Sequence, residues 1–192
     1  MIRSLSQRVL RLIDRTLELA GLERPSPHPA EVNMEGVFEL ALRNLRVLIQ
    51  QNRARVAADD LPAVNGEEGQ VLRLMQNLLA NALRFRKPDI DPEIQVGVED
   101  DGDRWLFSVR DNGAGMDPRL SARVFNLYSR GEGVDGGVGL AVCKRIVEAN
   151  GGEIWFNTIP GEGTTFFFTW PKRAEPSVQS KPAFSISPES TL

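Results

Sequence analysis

Apolar residues recur with two different periods along this chain, and the switches between them lay out its elements. From Ile2 to Leu19, Leu5, Val9, Leu12, Ile13 and Leu17 return at helical spacing with arginines and acids between them, which predicts an amphipathic helix with one apolar stripe. Gly21 and then ERPSPHPAE end it, because prolines cannot continue a helix. The stripe suits packing on the chain's own domain or pairing with another chain, and the linker that separates this helix from the main body favours the second. Asn33 is placed as the N-cap of a second helix running to about Gln51, with Val37, Phe38, Leu40, Ala41, Leu45 and Leu48 on its apolar side. Two short extended segments follow around Val56 and Ala63, closed by Asn65-Gly66 read as a turn. A third helix is expected from near Gly69 to about Phe85.

The period then drops to two. EIQVGVED and RWLFSVRD alternate and are separated by Asp101-Gly102, which predicts a hairpin. A glycine-rich stretch from Asp111 to Gly139 leads into a helix ending near Asn150, capped by Gly151-Gly152. GEIWFN and TTFFFTW form a last hairpin around Pro160-Gly161-Glu162-Gly163. After Pro171 the chain turns to Ser, Pro, Glu and Lys, and residues 173–192 read as a disordered tail. Helices over a mainly antiparallel sheet in an α/β (α+β) two-layer sandwich is the economical arrangement.

Composition narrows the function without naming it. The 192 residues are 41% hydrophobic and 26% charged, which suits a domain with a real core. A net charge of -3 gives no general attraction to nucleic acid or membrane surfaces. One cysteine allows no internal disulfide and no thiolate cluster. No apolar run approaches a membrane span, and the arginine-broken N-terminus is unlike a signal peptide, so a cytoplasmic location is expected.

Three stretches could carry chemistry. In QNLLANALRFR, Asn77 and Asn81 share a helix face with Arg84, while Leu74, Leu78, Leu79 and Ala82 take the core side. Two asparagines and an arginine suit a metal–phosphate site: an amide carbonyl is a hard ligand for Mg²⁺, and a guanidinium offsets phosphate charge. They equally suit a solvated helix face. Asp111 follows an alternating strand, with Gly113 and Gly115 allowing backbone to approach a ligand closely. A carboxylate there can accept from an exocyclic amine, although the same pattern describes ordinary turns. Gly136, Gly137 and Gly139 enter a helix whose first N–H groups are unpaired, a natural phosphate cradle. Neither the P-loop nor the Rossmann spacing is present. Cys143 and the three tryptophans, Trp105, Trp155 and Trp170, read as packing residues.

In this order and spacing, Asn77-Leu-Leu-Ala-Asn81-Ala, Asp111-Asn-Gly-Ala-Gly115, Gly137-Val-Gly-Leu140 and Gly161-Glu-Gly-Thr164-Thr-Phe resemble the ATP-binding domain of sensor histidine kinases, within the wider Hsp90, MutL and type II topoisomerase family. The resemblance covers roughly residues 33–171. NALRFR and VCKRIVEANGGEIW look closest to phytochrome-type kinases. It implies the Bergerat fold, with Asn81 as the Mg²⁺ ligand, Asn77 near the metal and phosphates, and Arg84 on a phosphate. Asp111 would bond the adenine amine, with Thr164 behind it through water. Gly113 and Gly115 would let the base slide in, and the backbone of Gly137, Val138, Gly139 and Leu140 would hold the phosphates. Val124 to Arg130 looks like the aromatic box before the ATP lid.

The resemblance also implies an organisation: a second dimerisation helix over 1–22, the linker 23–32, and the catalytic domain over 33–172. Its partners would be a response regulator, a phosphoacceptor histidine domain and a second copy joined through the N-terminal helix. Two departures stand out. Asp135 occupies the glycine position that usually opens the second glycine box, after a short lid, and its charge disfavours phosphate unless it points away or helps hold the metal. The only histidine, His28, sits in the proline-flanked linker and not in an acceptor helix. The expected function is therefore transfer of the ATP γ-phosphoryl group to a histidine supplied elsewhere. The alternatives are a degenerate kinase-like adaptor that docks a response regulator, and an anti-sigma-type serine/threonine kinase.

Overall fold

Strict alternation in the paired segments puts one side of each strand into the core. β4 (Glu93–Asp101) and β5 (Arg104–Asp111) form the expected hairpin, turning at Gly102 with φ 71°. β6 (Ile154–Ile159) and β7 (Gly163–Pro171) form the second. The computed structural model describes residues 30–117, 124–125 and 139–172. The helix expected over 1–20, nearly all of the linker with His28, the lid with Asp135, Gly136, Gly137 and Val138, and the tail 173–192 lie outside the described residues.

The remaining described elements are β1 (Ala30–Asn33), α1 (Met34–Asn52), β2 (Arg55–Ala58), β3 (Ala63–Gly66), α2 (Glu68–Arg84) and α3 (Gly139–Ala149). A five-stranded sheet runs in the order β2-β4-β5-β7-β6, antiparallel except for the β2–β4 pair. Its inner face carries Ile94, Val96, Phe107, Val109, Phe166, Phe168 and Trp170, all buried. Phe107 and Phe168 stack across β5 and β7 with centroids 4.9 Å apart. α2 and α3 cover that face, and α1 packs beside α2. Leu74, Leu78, Leu79 and Ala82 point into the core as their spacing requires. This is the two-layer α/β sandwich expected from the pattern.

Two local readings are corrected. Asn65 and Gly66 do not turn the chain; they end β3, which pairs antiparallel with β1. Trp170 Nε1 donates to the Asn65 carbonyl at 2.8 Å, and a side chain at Gly66 would meet the Trp170 ring at 3.1 Å. The second correction follows from the first: Ala30 to Val32, the end of the expected linker, already form strand. Trp155 stacks on Phe167 on the outer face, and the Lys172 ammonium lies over the Trp105 ring at 4.2 Å.

Asn33 caps α1 as expected, its Oδ1 accepting from the N–H groups of Glu35 at 3.0 Å and Gly36 at 3.2 Å. Replacing it with alanine leaves those donors without their cap. Asn33→Ala is expected to lower unfolding stability by about 1 kcal/mol in urea denaturation, with nucleotide binding untouched.

Candidate functional site

The last two turns of α2 act as a ruler. Asn77 lies at one end: its Oδ1 is 3.1 Å from where a side-chain carbon would stand at Gly139, the first residue of α3. Asn81 is one turn further on. Phe85, one turn beyond that, caps the helix by donating its N–H to the Asn81 carbonyl at 3.0 Å, and its own carbonyl accepts from Ala114 N–H at 2.9 Å. At about 1.5 Å per residue, the α3 entry and the glycine loop are held about 12 Å apart along this helix.

Asp111 ends β5 and is mostly buried. Its Oδ1 accepts from Gly113 N–H at 2.8 Å and from Thr164 N–H, on neighbouring β7, at 3.2 Å. Among the described residues no bond falls on Oδ2, which leaves that oxygen to accept from a ligand. Burial pushes the Asp111 carboxyl above the usual carboxylate range, and the two backbone bonds oppose that shift. A buried carboxylate with one unspent oxygen suits a neutral donor such as an amine.

The glycines have a packing role. A side chain at Gly113 would lie 2.6 Å from the Phe85 carbonyl, and one at Gly115 would lie 2.2 Å from the Ile159 carbonyl. On the side where a Cβ would stand, the space is filled by the protein's own backbone. Gly115 also has φ 67°, and Ala114 accepts from Gly161 N–H at 2.8 Å, so the loop is locked onto the β6–β7 turn. These glycines fix the loop that carries Asp111.

Asn81 supplies a further sign. Its Nδ2 is buried and has no hydrogen-bond partner among the described residues. An orphaned buried donor costs about 1–3 kcal/mol, and such groups are kept where a ligand uses them. The amide can give its N–H to a phosphate oxygen or, turned over, its carbonyl oxygen to a hard cation. These residues therefore fit a nucleotide with Mg²⁺. Arg84, exposed at the end of the same row, holds its guanidinium 5.5 Å over the Phe85 ring. Leu140 is buried in the first turn of α3, and Cys143 on the next turn is fully buried, its thiol pushed up by burial and so poorly reactive.

Sequence reasoning passed over two contributors. Asn112 ties the glycine loop to β4, accepting from Glu93 N–H at 2.9 Å and donating to the Asp91 carbonyl at 3.2 Å. Thr158 on β6 accepts from Met116 N–H at 2.8 Å. A polar residue at an inward position two before a Pro-Gly turn was the available signal for Thr158.

The sheet order, the helix layer and this arrangement of carboxylate, asparagine row and glycine-led helix define a Bergerat-type ATPase domain. The family described as "Histidine kinase-, DNA gyrase B-, and HSP90-like ATPase" matches residues 66–174, and the chain belongs to it. Cyanobacterial phytochrome A of Nostoc sp. is 42% identical over 164 residues, 83% of this chain and 21% of its own length. The methanogenesis regulatory histidine kinase FilI of Methanothrix harundinacea is 34% identical over 163 residues, 83% of this chain and 18% of its own length. The chain thus spans about a fifth of these relatives. Full-length ShkA, solved in complex with AMPPNP, superposes with a TM-score of 0.74 at 26% identity, over 90% of this chain and 38% of that one. Among the described residues no helix is long and apolar enough to cross a membrane.

Proposed function

We propose that this chain is the nucleotide-binding, phosphoryl-donating part of a two-component sensor histidine kinase. The observation that carries this reading is a partly buried carboxylate, Asp111, whose Oδ2 accepts no bond among the described residues, together with an orphaned buried amide, Asn81 Nδ2, on the structure that joins the glycine loop to the N-terminus of α3. Asp111 takes the adenine amine, with Thr164 beside it. Asn81, Asn77 and Arg84 face the phosphates, and the unpaired N–H groups at the start of α3, with Gly137 and Val138 before it, receive their charge. Mg²⁺ held by Asn81 and the triphosphate supplies charge neutralisation when bound.

Phosphoryl transfer asks mainly for alignment and charge balance. An imidazole nitrogen of the acceptor attacks the γ-phosphorus, the bond to the bridging oxygen breaks, and ADP leaves. The acceptor histidine comes from another segment or chain, and His28 is not assigned that role. A response regulator would take the phosphoryl group onward. The N-terminal helix over 1–22 would bring a second copy alongside.

Asn81→Ala tests the phosphate end. With radiolabelled ATP, Mg²⁺ and a histidine-bearing dimerisation domain from a related kinase, the wild type is expected to label the acceptor. The variant is expected to label it about 100-fold more slowly. Its melting temperature should hold or rise, because the lost Nδ2 is buried without a hydrogen-bond partner among the described residues. Equal labelling by both proteins would remove Asn81 from the site.

A further inference from the structure

Behind Asp111, three groups converge on one hydroxyl. Thr158 Oγ1 accepts from Met116 N–H at 2.8 Å, donates to the Gly163 carbonyl at 3.1 Å, and lies 3.1 Å from Thr164 Oγ1. A threonine hydroxyl has one hydrogen and two lone pairs. The Gly163 carbonyl can only accept, so it takes the Thr158 hydrogen, and Met116 takes one lone pair. The contact with Thr164 is then a bond in which Thr164 donates. That spends the only hydrogen Thr164 has and leaves its oxygen with acceptor capacity alone. Since Thr164 N–H bonds Asp111 Oδ1 at 3.2 Å, this acceptor stands beside a carboxylate.

We propose that Thr158 is a positioning residue that sets the polarity of the base pocket: its hydroxyl holds Thr164 as an acceptor beside Asp111, so the pocket takes a purine with an exocyclic amine and rejects one with a carbonyl in its place. The inference rests on the nucleotide reading above and deepens it. The adenine amine offers two hydrogens to a pocket of acceptors. Hypoxanthine turns an oxygen towards the same acceptors, and the Thr164 hydroxyl could offer that oxygen a hydrogen only by rotating away from Thr158. Thr158 blocks the rotation by keeping the hydrogen for itself. Thr158 is only partly buried, but its three contacts tie the end of the glycine loop, at Met116, to the start of β7, at Gly163 and Thr164.

The test is calorimetric titration of ATP and of ITP into the full chain, for the wild type, Thr158→Val and Thr158→Ser, with melting curves for each. Valine keeps the branched shape and loses the hydroxyl; serine keeps the hydroxyl. Thr158→Val is expected to weaken ATP about tenfold and to narrow the ATP-to-ITP preference by about the same factor, and Thr158→Ser to restore both. Thr164→Val, which removes the acceptor itself, should narrow the preference in the same direction. The double variant should narrow it no further than the larger single effect. If Thr158→Val does not fold, the serine and Thr164→Val arms carry the test alone: an unchanged preference in Thr164→Val overturns the proposal. An equal loss of ATP and ITP in Thr158→Val would make Thr158 merely structural and overturn it too. Absence of ATP binding by the wild type would overturn the nucleotide reading and this inference with it.

Discussion

Asp111→Asn is expected to remove tight ATP binding while leaving the unliganded domain at least as stable as the wild type. The asparagine carbonyl can accept the same two N–H groups, from Gly113 and Thr164, that Oδ1 accepts now. Its NH₂ then replaces Oδ2 and turns two hydrogens towards the hydrogens of the adenine amine. Losing a bond to a charged group costs about 1.5–3 kcal/mol, or about 10- to 150-fold in affinity. Stability moves the other way. Burial raises the Asp111 pKa, so the folded state binds its proton more tightly than the unfolded state does. The ionised carboxylate therefore costs stability at pH above its folded pKa, and the cost is relieved as pH falls through that value. Asparagine carries no such charge at neutral pH. The same shift predicts that wild-type ATP affinity falls on acidification above the ordinary aspartate range, because a protonated Oδ2 donates where it must accept. Titration calorimetry and melting at neutral and mildly acidic pH check both statements. A variant that binds ATP like the wild type, or melts well below it, contradicts them.

Gly163→Ala is expected to cost more stability than any of the other substitutions considered for this chain. Gly163 has φ 133°, and a methyl group there would stand 2.0 Å from the Asp111 carbonyl oxygen and 2.9 Å from its carbon. Those are backbone atoms, so no rotamer relieves the clash. β7 must move away from the end of β5, and that junction holds Asp111 against Thr164. A loss above about 4 kcal/mol, or no cooperative unfolding at all, is expected in urea denaturation. Gly161→Ala is the control. It also sits at positive φ, 83°, but nothing lies within 4 Å of the added carbon, so only backbone strain of about 1–3 kcal/mol is at stake. Equal losses in the two variants would refute the steric account.

Much of this architecture was legible because it is written in local patterns. The two hairpins follow from alternation and from Asp101-Gly102 and Pro160-Gly161. α2 and its asparagine row follow from a period of 3.6, and the Asn33 cap from a single residue type. What escaped depends on distant partners. β1 is four residues without alternation, and it is held by pairing with β3, which in turn is fastened by Trp170 more than 100 residues away. The parallel β2–β4 pair leaves no local trace in either segment.

The site divides in the same way. Asp111 and Asn81 are expected from their motifs alone, and folding leaves Asp111 Oδ2 and the buried Asn81 Nδ2 without a partner among the described residues. That Gly113 and Gly115 make room for backbone carbonyls depends on where Phe85 and Ile159 lie after folding. Thr158 meets Thr164 only through the β6–β7 register, which a strand pattern alone does not specify.

The central claim is that this domain holds ATP at Asp111. Calorimetric titration of ATP into the full chain in the presence of Mg²⁺ tests it most directly. Saturable binding at one site, lost in Asp111→Asn, is the predicted result. No detectable binding at millimolar ATP, by a protein that still unfolds cooperatively, would contradict it.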